Sequence, residues 1–134
     1  MLIHSSAFLR RVLLADAVST GASGLLLVLA AEVLAPMLRL PPALLLYSGV
    51  SFLAFAALVG AAAARRSLPR AAAWAIVLYN ALWAAASVAF LLSGAARPTA
   101  LGYAFVLAQA AFVAGMAELQ YAGLRRSTTA AAAE

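Results

Sequence analysis

Two carboxylates stand within apolar surroundings in this chain, Asp16 and Glu118, and they are the residues whose chemistry most needs explaining. Each falls about one helical turn inside the same edge of an apolar run, the first run and the last. An up-down-up-down arrangement of helices sets the first beside the last, which predicts the two carboxyls at one level. Asp16 heads a polar stripe with Thr20 and Ser23, and Glu118 follows small residues, Ala111 and Ala114, that admit close approach. Two outcomes follow. The expected one is an ion-pair lock, in which arginines from the same end bridge both acids. Without that bridge the acids repel, one keeps its proton, and the pair becomes the proton-accepting site that a proton-coupled carrier needs.

The second group of interest is amide-based. Asn80 lies near the middle of the third apolar run and Gln109 near the middle of the fourth, so folding that hairpin about its short loop predicts a bond between them. Trp83 and Ser87 follow Asn80 at helical spacing, which adds an aromatic wall and a hydroxyl to the same face and outlines a small pocket. The plain role for such amides in a membrane is to hold helices together; ligand coordination is the sharper one. Other chemistry is missing from the sequence. There is no cysteine, and His4 stands alone without a second ligand at metal spacing. No glycine-rich phosphate loop, nucleophile elbow or haem-attachment signature occurs, so neither catalytic residues nor a cofactor are expected.

The elements that position these residues are read from hydropathy. A hydrophobic fraction of 67% with only 10% charged residues leaves too few ionisable groups to cover a soluble fold of 134 residues. Mean hydropathy is +1.04, so lipid must cover the surface instead. Four runs are long enough to cross a hydrocarbon core of about 30 Å as helices, at 12–35, 43–64, 71–93 and 99–122. A spanning barrel would need alternating segments, which these runs are not. Pro36, Pro41 and Pro42, then Ser67 to Pro69, then Gly94 to Pro98 punctuate the three connectors. The prediction is an all-α membrane protein, a single four-helix antiparallel bundle over 1–126, with a polar and alanine-rich tail at 127–134 that frays from a helical end.

Orientation follows from arginine. Arg10, Arg11, Arg65, Arg66, Arg70, Arg125 and Arg126 fall on one side and only Arg39 and Arg97 on the other, which predicts both termini and the central loop in the cytoplasm. The recurring Arg-Arg pairs read as anchors to an anionic inner leaflet, and their position at the ends of apolar runs argues against nucleic acid despite a pI of about 10.8. Arg10-Arg11 before an apolar run also resembles a secretory signal, but Asp16 interrupts the run and its length suits a span. Tyr47, Tyr103, Tyr121 and Trp74 fall near the interfaces, as belt residues do, and Glu32 with Arg39 is assigned to the outer loop. Small residues four apart recur at Ala17-Gly21, Thr20-Gly24, Ala56-Gly60-Ala64 and Ala111-Gly115, the spacing that lets membrane helices approach closely.

In layout the chain resembles the uncharacterised four-span inner-membrane proteins of bacteria, which implies a plasma-membrane location and no particular activity. It is also similar in one residue to the small multidrug resistance transporters, which carry an acid in the first of four short helices, matched here by Leu14-Ala15-Asp16-Ala17. It departs from them in longer connectors and a strong arginine asymmetry. The expected function is a non-catalytic membrane subunit or scaffold working through helix contacts, with an oligomer of itself or another membrane protein as partner. The alternatives are a proton-linked transporter or channel using Asp16 and Glu118, and a binder of lipid or hydrophobic ligand between helices, shaped by Trp83 and Asn80.

Overall fold

Helix starts and stops are set by local chemistry. In the computed structural model, which describes residues 1–129, the hydroxyl of Ser6 accepts a hydrogen bond from Leu9 N at 3.1 Å and opens α1 (Ala7–Leu38), well before the apolar run itself begins. Pro36 has no N–H to continue the ladder. Two residues past it the helix ends, and Arg39 takes a left-handed conformation, φ 54°, with its N–H turned back to Ala35 O. Proline at the first position starts α2 (Pro42–Ala64), and α3 (Arg70–Ser93) stops at Gly94, φ 72°. Thr99 caps α4 (Ala100–Arg126) through a 3.1 Å bond from Gly102 N.

All four helices are long and apolar enough to cross a membrane. The shortest, at 23 residues, reaches about 35 Å against a hydrocarbon thickness of about 30 Å. The 32 residues of α1 reach about 48 Å, so this helix must tilt or project beyond the core. Glu32 therefore lies within α1 as an exposed helical residue and not in the outer loop. The protein is a small four-span integral membrane protein folded as an up-down bundle.

Three short strands cap one end of the bundle, an element the apolar runs gave no hint of. β1 (Leu2–His4) pairs antiparallel with β2 (Ser67–Pro69) on one side and β3 (Thr128–Thr129) on the other, with Ile3 opposite both Leu68 and Thr129. Strand alternation turns Ile3 inward onto Leu9, Leu13, Val59, Leu68 and Leu124, and leaves Leu2 and His4 exposed. The sheet gathers the N-terminus, the α2–α3 connector and the chain after α4 at one end. It also corrects the frayed helical end expected there: Ser127 closes α4 by bonding Gly123 O at 3.0 Å, and the next two residues pair with β1, which offers them backbone partners. Residues 130–134 of that tail lie outside the described residues.

At the opposite end the two remaining connectors are tied together, Thr99 N to Leu38 O at 3.1 Å and Thr99 Oγ1 to Met37 O at 2.8 Å. Between the ends, α1 packs closely on α2 and on α4, and α3 on α4. The α1–α2 seam is backbone against backbone: a Cβ on Gly24 would stand 2.9 Å from Gly49 O. By contrast, α2 and α3 are bridged by rings, with Phe55 stacked on Tyr79 at 4.1 Å and Phe52 edge-on to Trp83 at 5.1 Å. A seam filled by rings holds backbones further apart than one filled by glycine, and a space remains beside it.

Candidate functional site

Residues i and i+4 on one face of α1 bring Asp16 and Thr20 together, and Thr20 Oγ1 donates to Asp16 Oδ1 at 2.8 Å. The other carboxylate oxygen is reached from two more helices. Asn80 Nδ2 on α3 donates to Asp16 Oδ2 at 2.8 Å, and Gln120 Nε2 on α4 donates to the same atom at 2.5 Å. Asn80 Nδ2 also donates to Gln120 Oε1 at 2.8 Å, closing a triangle across α1, α3 and α4. Asp16, Asn80 and Gln120 are 1%, 2% and 1% exposed, so this is a dry cluster in which every bond replaces one that water cannot supply.

Two sequence expectations are corrected by this cluster. Asp16 does not meet Glu118 or an arginine: its donors are all neutral, and Glu118 is exposed on the outward side of α4. The reason is helical phase. Residues 118 and 120 differ by about 200° around the axis, so only one of them faces the bundle. The depth of Asp16 changes as well, because α1 begins at Ala7, and nine residues of rise set Asp16 about 13 Å inside its helix, at the level of Asn80. Asn80 likewise does not pair with Gln109. Gln109 accepts from Trp83 Nε1 at 3.2 Å and donates from Nε2 to Ser87 Oγ at 2.9 Å and to Val106 O at 3.0 Å, while Ser87 Oγ donates to Trp83 O at 2.8 Å. Sequence reasoning passed over Gln120, although it continues the inward stripe Gly102, Val106, Ala110, Ala117 at helical spacing.

Thr20 and Asn80 belong to the cluster and also form part of the wall of a cavity of about 290 Å³ that extends from there toward the uncapped end. Trp83, Ser87, Gln109 and Ser23 line it, and so do Phe52, Phe55, Tyr79, Phe90, Phe105 and Phe112, none of which the sequence singled out. Its volume is close to the lower end of the ~300–1,000 Å³ range of small-molecule pockets. Ser23 and Phe112 contribute to the lining while exposed, Phe112 by 46%, so the cavity is continuous with the bundle exterior. Among the described residues, no lysine, arginine, aspartate or glutamate lines it. Such a space accepts an apolar body and offers it a few hydrogen-bonding groups.

The arginines named as anchors collect at the sheet-capped end. Arg10 is half-buried and donates from Nε to Ala63 O at 3.2 Å; Arg11, Arg65, Arg66, Arg70, Arg125 and Arg126 are exposed. Arg126 lies over the Phe8 ring at 4.4 Å and Arg125 near Tyr121 at 5.9 Å, contacts that hold guanidinium groups beside aromatic rings at one level. Comparison with family models, with curated proteins and with solved structures finds no match to this chain.

Proposed function

We propose that this protein is a non-catalytic membrane protein that binds a small hydrophobic or lipid-like ligand inside its bundle, oriented with the sheet-capped end at the cytoplasmic face of a bacterial inner membrane. The observation that supports this reading is the aromatic-lined cavity of about 290 Å³, bounded by all four helices and continuous with the exterior. The small-residue stripes of α1 and α2 that motivate a scaffold are occupied within the chain, Gly21 against Ala56 and Gly60 against Ala17, with Gly24 closing on Gly49, while at Gly115 the Ala111-Gly115 stripe of α4 meets no neighbour. The proton-linked reading drawn from the sequence pairs Asp16 with Glu118, and Glu118 is turned away from Asp16. The orientation rests on seven arginines at the capped end against Arg39 and Arg97 at the other.

The test uses Trp83 as a reporter. Trp74 is the only other tryptophan and does not line the cavity, so a Trp74→Phe variant leaves one fluorophore there. In lipid nanodiscs, bromododecane is expected to quench Trp83 saturably, and Ala86→Phe, which fills the cavity from α3, is expected to abolish the saturable part. Quenching that rises linearly with bromododecane in both variants would mean partition into bulk lipid and would remove the proposal.

A further inference from the structure

Most polar groups at the cavity wall already have partners. Thr20 donates to Asp16, Ser87 donates to Trp83 O in the usual manner of a helical serine bonding back one turn, and Gln109 uses both ends of its amide. Four hydroxyls differ. Ser19 and Ser23 on α1, Ser48 on α2 and Tyr79 on α3 line the same cavity, and none of their side chains makes an intramolecular hydrogen bond among the described residues. They are not sealed in either, since among the described residues the one buried side-chain polar atom without a partner is Ser5 Oγ, at the capped end. Each hydroxyl both donates and accepts; the Tyr79 ring is held in its stack on Phe55, and the three serine hydroxyls, without partners in a largely apolar space, favour a ligand that brings oxygen atoms to them.

The charge of that ligand follows from the surroundings. No cationic side chain lines the cavity, so a carboxylate or phosphate head would be desolvated without compensation, with the Asp16 carboxyl behind Thr20 and Asn80. A cationic head fares no better. Asp16 is buried and already accepts three bonds from neutral donors, so it offers no contact to a ligand in the cavity. Accordingly, we infer that the cavity selects an uncharged amphiphile whose head carries hydroxyl or ester oxygens, of the monoacylglycerol type, with the head at Ser19, Ser23 and Ser48 and the chain against Trp83, Phe105 and Phe112.

This inference rests on the proposed function, and its test separates the two. Bromododecane has no hydrogen-bonding head, so its saturable quenching of Trp83 reports the cavity alone. Monolauroylglycerol, dodecanoate and dodecyltrimethylammonium, matched in chain length, are then used to displace it in nanodiscs. Monolauroylglycerol is expected to compete roughly tenfold more strongly than either charged amphiphile. In the Ser19→Ala, Ser23→Ala, Ser48→Ala variant that advantage is expected to shrink to about threefold or less, with bromododecane quenching retained as the sign of an intact fold. Equal competition by all three amphiphiles, preference for either charged one, or an unchanged ranking in the serine variant would each overturn the head-group assignment while leaving the cavity as a binding site. Should the triple variant lose bromododecane quenching, Ser48→Ala alone replaces it, and the ranking on the unsubstituted serines remains decisive. Absence of saturable quenching on those serines would remove the inference together with the function on which it rests.

Discussion

Replacing Asn80 by leucine should uncouple three helices at one point. The substitution preserves approximate size and removes the 2.8 Å bonds from Nδ2 to Asp16 Oδ2 and to Gln120 Oε1. Interhelical hydrogen bonds in membranes average about 0.6 kcal/mol and reach about 1.7 kcal/mol. Two of them, plus a Gln120 oxygen left without a donor in a dry site, put the loss at about 1–3 kcal/mol. The single value does not identify the partner, so the informative quantity is the coupling in a double-mutant cycle. Asn80→Leu with Gln120→Leu should be non-additive by about 0.5–1.5 kcal/mol, because the two amides bond each other and share Asp16 Oδ2. Asn80→Leu with Gln109→Leu should add to within about 0.5 kcal/mol, since those residues share no bond. Unfolding by SDS titration from lipid bicelles, followed by tryptophan fluorescence, measures both cycles. Additivity of the Asn80 and Gln120 pair, or coupling of equal size between Asn80 and Gln109, would refute the cluster geometry.

Further perturbations address other parts of the account. Gly49→Val should destabilise the bundle by about 1–3 kcal/mol in the same titration, because a Cβ there lies 2.9 Å from Leu27 Cβ, whereas Gly115→Ala, with nothing within 4 Å, should be nearly neutral. Ile3→Ala should cost about 2–4 kcal/mol if β1 docks on the core, and a negligible change would show that the strand cap does not contribute to stability. A reporter fused after Glu134 should be active in the cytoplasm and one inserted in the Gly94–Pro98 loop should be external; the reverse pattern would contradict the arginine-based orientation.

What could be read from the residues alone was whatever depends on solvent. Four continuous apolar runs declare four spans, and prolines at 36, 41, 42, 69 and 98 mark their limits, because bilayer thickness and the missing proline N–H act locally. The strand cap was not legible. Each strand is two or three residues long, and its partners lie more than sixty positions away, so no alternation could build up a recognisable period. The polar cluster was legible only in part. Asp16, Thr20 and Asn80 stood out by type, but the assignment of their partners compared depths along helices and neglected rotation about them. Depth placed Glu118 and Gln109 in the site; rotation puts Gln120 there and gives Gln109 to Trp83 and Ser87. The cavity itself had only Trp83, Asn80, Ser87, Gln109, Thr20 and Ser23 as signs, since the phenylalanines that line it look like any other lipid-facing residue until the helices are set against one another.

The claim on which the account turns is that an apolar molecule enters the space beside Trp83 and does not merely coat the outside of the bundle. Anomalous scattering from crystals grown in lipidic phase with bromododecane measures this directly. A bromine peak between α2, α3 and α4, near Phe52, Trp83 and Phe112, is the result expected. Bromine confined to the outward faces of the helices, with the cavity holding ordered water, would contradict it.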